Sequence, residues 1–224
     1  MQSIVLFEVS RVLVRNPKDV SGYVSESIRN MYGYIIPVQL ERYEGMSSQE
    51  TVEAILRENG VKQEEIDPRL QRYMIDLYYT YYNVAGHDKH TASEGAEELL
   101  RELEEKGAAV GIASGDAERV ARLKLEKSGL AKYFTFGAYG DSIKDMREII
   151  KTAADNGKGI GSGPANVVLV AGTQIQVKAA KSLGFRAIGV SSGSFSEKEL
   201  YDAGADLVVR SLKEKGKISK LVFG

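Results

Sequence analysis

Glu8 stands near the end of a β-branched and aromatic run, residues 4–9, and Ser10 and Arg11 follow at once. A carboxylate, a hydroxyl and a guanidinium at the end of a strand are groups that can hold an anion or pair with one another. A second hydroxyl, Ser114, ends another strand-like run and precedes a helical segment. From there it can donate to a phosphate or sulfate, because the N-terminus of a helix itself attracts anions. Arg11 has two readings: it points into the cleft as an anion ligand, or it pairs with Glu8 and fills the space. His87 and His90, with Asp88 between them, lack a clear third ligand and read as a solvated connection rather than a metal site. The glycine-rich stretch 156–164 lacks the order of a phosphate loop and precedes a strand instead of following one, so it reads as a surface connection.

The elements that must position these groups follow from periodicity. Residues 4–9 have the character of a strand buried on both faces. From about Pro17 to Gly86 helical spacing dominates, with Val20, Val24 and Ile28 on one face and then Val52, Ile55 and Leu56. A further helix is expected from Pro68 through residues 73–82. Strands and helices then alternate. A helix capped by Ser93 or Thr91 reaches Lys106, followed by strand 108–113, helix 117–128, strand 134–139 and helix 144–156. Strand 167–171, helix 177–183, strand 187–190, helix 197–203 and strand 206–209 complete the series. Such alternation predicts an α/β fold, a parallel sheet with helices on both faces and an inserted all-helical unit. The core is expected to comprise residues 1–16 and 87–224, and the helical cap residues 17–86. In such sheets the working site lies at the carboxyl ends of the strands, where Glu8, Ser114 and Gly172 fall.

Composition narrows the classes of partner. The 224 residues are 43% hydrophobic and 27% charged, an ordinary globular balance. With 30 basic and 31 acidic side chains the net charge is -1, which gives no long-range attraction to nucleic acid or anionic membrane. There are no cysteines, so disulfides, thiolate metal sites and cysteine nucleophiles are excluded. No apolar run approaches the roughly 20 residues that span a bilayer. The chain enters a strand directly, and a cytoplasmic location is expected. Tyr73, Tyr78, Tyr79, Tyr81 and Tyr82 exceed what one buried helix face needs. They suggest cap packing, a homodimer or protein contact, or a substrate-facing surface.

Residues 3–14, Ser-Ile-Val-Leu-Phe-Glu-Val-Ser-Arg-Val-Leu-Val, resemble the first strand and loop of the haloacid-dehalogenase-like phosphatases. The resemblance extends over most of the chain, towards the phosphoglycolate-phosphatase-like branch with a helical cap. Glu44-Gly45-Met46-Ser47 is similar to a cap turn, and residues 111–116, Gly-Ile-Ala-Ser-Gly-Asp, to the second motif. Residues 123–134 resemble the helix and strand that come next, residues 168–173 the fourth motif, and residues 187–193 the following strand and loop.

The resemblance implies a Rossmannoid core and a phosphoryl-transfer site, and it marks where this chain departs. Glu8 stands at the nucleophile position, Ser10 at the acid/base position and Arg11 at a glycine. Gly172 stands where the main metal-binding aspartate belongs, and Gln176 replaces its acidic neighbour. Ser114 and Gly115 keep the phosphate-holding motif. The third-motif cation is expected at the start of the helix after Asp141, with Lys144, Arg147 and Lys151 as candidates and Met146 as the alternative position.

Glutamate for aspartate moves the attacking oxygen by roughly 1.5 Å, one bond length, and displacement of about that size can cost on the order of a hundredfold. A serine cannot act as a carboxylic acid, and general acid catalysis is commonly worth about 10² to 10⁴. Mg²⁺ prefers charged oxygen ligands, so Gly172 and Gln176 weaken its site. The expectation is a family member that has lost Mg²⁺-dependent phosphatase activity and binds a small phosphate-like anion or a protein partner, without a cofactor. The alternative is a weak or altered phosphatase with Glu8 as nucleophile, the one reading in which Mg²⁺ has a place. Such turnover needs a second carboxylate near Glu8, for which Asp116 and Asp141 are the candidates. A structural module is the third reading, favoured if side chains fill the cleft.

Overall fold

The computed structural model describes residues 2–15, 21–66, 80, 90–159 and 165–224. Its elements run β1 (Gln2–Phe7), β2 (Val14–Arg15), α1 (Ser21–Tyr32), α2 (Ser48–Glu58), β3 (Thr91–Ala92), α3 (Ala96–Glu105), β4 (Ala109–Ser114) and α4 (Glu118–Lys127). They continue with β5 (Gly137–Tyr139), α5 (Met146–Lys158), β6 (Ala165–Ala171), α6 (Gln174–Ser182), β7 (Arg186–Val190), α7 (Glu197–Asp202), β8 (Leu207–Val209) and α8 (Lys215–Phe223). Six strands form a parallel sheet in the order β5-β4-β1-β6-β7-β8.

The period of two along each strand divides the core between the two faces of the sheet. Val5 and Phe7 of β1, Val110 and Ile112 of β4 and Val168 and Val170 of β6 join Leu99, Leu100 and Leu103 of α3 and Ile218 and Val222 of α8. On the opposite face Ile4, Leu6, Val167 and Leu169 meet Ile149, Ile150 and Ala153 of α5, Val177 and Ala180 of α6 and Leu200 of α7. Each fully buried aliphatic side chain contributes about 1.5–3 kcal/mol, so both faces of β1 are tied down strongly. This matters for the site, because β1 is central. Phe7 is in register with Ile112 of β4 and Val170 of β6, which brings the carboxyl ends of the three strands side by side.

The described part of the helical insert packs on itself and against the start of α4 in the core. Val24 and Ile28 of α1 and Val52, Ile55 and Leu56 of α2 form one apolar cluster with Ala117 and Val120, at the start of α4. Ser47 caps α2 by accepting from the Glu50 amide at 3.0 Å. The turn before it needs Gly45, whose φ is 89°. A Cβ at that position would lie 2.5 Å from Thr173 Oγ1. No helix among the described residues is long and apolar enough to cross a membrane.

The structure differs from the sequence expectation in several places. Neither Thr91 nor Ser93 caps α3 with its side chain: the N-cap is Gly95 in the left-handed region, and Thr91 belongs to β3. β2 and β3 pair antiparallel, Val14 with Ala92 and Arg15 with Thr91, a two-residue ribbon too short to show a period. The strand expected at 134–139 is confined to Gly137–Tyr139, because Phe136 turns its ring into the space left by Gly111 and Gly157. The helix expected at 144–156 starts at Met146, capped by Asp145, and extends to Lys158. The tyrosines at 73–82, His87, Asp88 and residues 160–164 lie outside the described residues.

Candidate functional site

Glu8 follows the last residue of β1, and its amide still donates to Val170 O of β6 at 3.1 Å. The side chain is buried, 6% exposed, and four donors converge on it. Oε1 accepts from the Val9 amide at 2.8 Å and from the Ser114 hydroxyl. Oε2 accepts from the Gly115 amide at 3.4 Å and from the Gln176 side-chain amide. Burial pushes the Glu8 carboxyl up from 4.5 to about 7, and the negative charge of Asp116 adds to the rise. The hydrogen bonds from Ser114, Val9 and Gly115 pull in the opposite direction. The Ser114 hydroxyl and the Gly115 amide, expected to hold an anion, here donate to the protein's own Glu8 carboxyl group.

A second polar cluster adjoins the first. Ser10 donates to Asp116 Oδ2 at 2.8 Å, and Lys124 Nζ reaches both the Ser10 hydroxyl and the same carboxylate oxygen at 2.8 Å. The Asp116 amide donates to Ser114 Oγ at 3.2 Å, linking the two clusters through one hydroxyl. Lys124 is 3% exposed, whereas the Asp116 side chain is 22% exposed. Of the two carboxylates expected near Glu8, Asp116 is the one whose charge acts on it.

The expected cations are placed differently. Arg11 does not pair with Glu8: its guanidinium meets Glu44 of the cap at 2.6 Å and Ser194 at 3.1 Å. Lys144 pairs with Glu53 of the cap, and Arg147 with Glu148 on the surface at 2.9 Å. Met146 is buried. The cation joined to the Ser10–Asp116 group is Lys124, which the sequence reading missed. Its signal was present: Ala117, Val120, Ala121 and Lys124 recur at helical spacing, so the lysine falls on the buried stripe of α4.

Cap residues close over this site. The Ser48 amide donates to Gly115 O at 2.7 Å and the Gln49 amide to Gly140 O at 3.1 Å. The Gln49 side chain donates to Asp141 O at 2.6 Å. These contacts need small residues, since a Cβ on Gly115 would lie 2.5 Å from Met46 O and one on Gly140 2.0 Å from Gly115 O.

The groups present do not fit Mg²⁺. That ion is held through carboxylates and keeps near-octahedral oxygen geometry. Both oxygens of Glu8 are taken by N–H and O–H donors, Gly172 offers no side chain, and Asp116 already faces an ammonium. Gln176 Oε1 is buried and takes no hydrogen bond among the described residues, but one neutral oxygen does not make a site. Among the described residues no group of three or more His, Asp or Glu converges for a metal.

The sequence pattern of haloacid dehalogenase-like hydrolases matches residues 6–190. A Pseudomonas putida protein named "Probable phosphoglycolate phosphatase" is 22% identical over 154 residues, covering 69% of this chain and 61% of that protein. The chain thus spans less than two thirds of that relative. A phosphoglycolate phosphatase of Pseudomonas fluorescens (strain Pf0-1) is 19% identical over 224 residues, covering 94% of this chain and 77% of that protein. Among solved structures, a hydrolase from Pseudomonas syringae superposes with a TM-score of 0.72 at 19% identity, covering 99% of this chain and 100% of that one. A β-phosphoglucomutase from Clostridium difficile gives 0.70 at 19% identity, with 99% and 100% covered. Such structural likeness at low identity speaks for the fold, a six-stranded parallel core with a small helical cap. With the family pattern matching most of its length, the chain belongs to the haloacid dehalogenase-like hydrolases.

Proposed function

We propose that the chain is a phosphomonoester hydrolase of altered catalytic set, acting through Glu8 and without Mg²⁺. The observation that carries this reading is the convergence at the ends of β1 and β4. Glu8, the Ser114 hydroxyl and the Gly115 amide meet there, beside the partly buried ion pair of Asp116 and Lys124. Ionisable groups gathered in a closed site with a raised carboxyl are arranged as catalytic groups are. A phosphoryl group entering the site takes over the Ser114 and Gly115 donors, which frees the Glu8 carboxylate to attack phosphorus. Lys124 contributes fixed positive charge next to the developing negative charge, which in a closed site acts strongly. The two phosphoglycolate phosphatases among the relatives make phosphoglycolate the first substrate to try.

A second reading has its own support. Glu8 already engages the donors that a phosphoryl group needs, which favours anion or protein-partner binding without turnover. Steady-state hydrolysis of an aryl phosphate and of phosphoglycolate, by the chain and its Glu8→Ala variant, separates the two. Turnover that survives a chelator and disappears with Glu8→Ala supports the hydrolase. Equal, background-level rates in both proteins overturn it in favour of binding.

A further inference from the structure

Residue 10 is a serine at the position where the reaction needs a proton-transferring carboxyl, yet its hydroxyl does not point at nothing. It donates to Asp116 Oδ2 at 2.8 Å. We infer that Asp116, carried on the loop after β4, supplies the proton transfer that Ser10 cannot, with Ser10 and Lys124 as positioning residues. The inference rests on the hydrolase reading above.

The geometry is specific to this role in three respects. The Asp116 carboxylate is fixed by two donors at 2.8 Å, Ser10 Oγ and Lys124 Nζ, which are themselves 2.8 Å apart. Its backbone amide donates to Ser114 Oγ at 3.2 Å, and the same hydroxyl donates to Glu8, so the two carboxylates are held relative to one another. The exposures also differ in a useful sense. Glu8 and Lys124 are closed in at 6% and 3%, while the Asp116 side chain keeps 22% and so can meet a leaving group or a water.

The proton balance is simple. In the first step Glu8 forms an oxygen–phosphorus bond as the bond to the leaving alcohol breaks, and the one proton of the Glu8–Asp116 pair passes through Asp116 to the departing oxygen. In the second step water attacks phosphorus and gives a proton to the Asp116 carboxylate. The bond between phosphorus and Glu8 breaks, and both carboxyl groups return to their starting forms. One proton shared by two carboxyls is the arrangement their mutual repulsion favours.

The test compares an alkyl and a p-nitrophenyl phosphomonoester in the unsubstituted chain, Asp116→Asn and Asp116→Glu. A poor alkoxide leaving group needs the proton, whereas p-nitrophenolate leaves without it. Asp116→Asn is expected to lower kcat/KM for the alkyl ester by about 10² to 10⁴, and to lower that for the aryl ester at least tenfold less. Asp116→Glu, which keeps the carboxyl, is expected to recover part of the alkyl activity. Equal losses on both esters, or no loss, overturn the inference and leave the hydrolase reading standing. No turnover of either ester by the unsubstituted chain overturns both.

Discussion

The hydroxyl of Ser10 lies 2.8 Å from the carboxylate of Asp116, across the boundary between neighbouring strands β1 and β4. That contact joins the residue two places after Glu8 to the loop that follows β4. Lys124 completes the set, reaching both the Ser10 hydroxyl and the Asp116 carboxylate at 2.8 Å.

Lys124 is buried, Asp116 is partly so, and each supplies the other's counter-charge at 2.8 Å. Lys124→Met is expected to destabilise the fold by about 1–3 kcal/mol, less than for a fully buried pair, because Asp116 is partly exposed and keeps the Ser10 hydroxyl as a donor. The double variant Lys124→Met/Asp116→Asn is expected to recover a large part of that loss. Chemical denaturation of both single variants and the double variant measures the coupling directly.

Glu8 makes stability depend on pH in an unusual direction. Its folded carboxyl titrates at about 7, above the ordinary 4.5, so between those values the native state binds the proton and the unfolded chain does not. The contribution is fully present below about pH 4.5 and is lost as pH rises through about 7. At about 1.4 kcal/mol per unit the loss is on the order of 3 kcal/mol. Thermal unfolding from pH 4.5 to 8 checks this, and Glu8→Gln is expected to flatten that part of the profile.

Arg11 adopts a φ of 70°, the left-handed conformation that favours glycine and costs another residue roughly 1–2 kcal/mol. Arg11→Gly relieves that strain but strips the guanidinium from Glu44, whose side chain is 6% exposed. The expected outcome is a cap held less firmly: faster hydrogen exchange at the amides of Ser48 and Gln49, which bond to Gly115 and Gly140. Unchanged exchange there would mean that the Arg11–Glu44 contact does not hold the cap.

A metal site is expected to be installable beside Glu8. A Cβ at Gly172 would meet Arg11 Cβ and Val12 Cγ2 at 3.6 Å, ordinary contact distances, so a side chain can enter. The triple variant Glu8→Asp/Ser10→Asp/Gly172→Asp presents three carboxylates there. Mg²⁺ is expected to raise its melting temperature and its phosphatase rate, and to leave the unsubstituted chain unchanged in both. Isothermal titration and thermal unfolding with and without Mg²⁺ check this.

Much of the architecture was legible because it rests on local periodicity. The apolar residues of β1, the strand–helix alternation after residue 90 and the placement of Glu8, Ser114 and Gly172 at the carboxyl ends of their strands all follow from it. What escaped depends on contacts between segments far apart in the chain. Lys144 was a reasonable anion ligand until Glu53, a cap residue, is placed against it. Arg11 was free to pair with Glu8 until Glu44 is brought to it by the turn at Gly45. Lys124 was read only as part of the segment 123–134, although its helical phase with Ala117, Val120 and Ala121 marked it as buried. The ribbon of β2 and β3 has two residues per strand, too few to carry a pattern.

The central claim is that the Glu8 carboxylate attacks phosphorus. Rapid quenching of the chain during turnover of an aryl phosphate, followed by mass spectrometry of the peptide containing Glu8, tests it most directly. A phosphoryl adduct on Glu8 that forms and decays at rates matching turnover is the predicted result. Turnover with no adduct at Glu8, or with the adduct on Ser10 or Ser114, would contradict it.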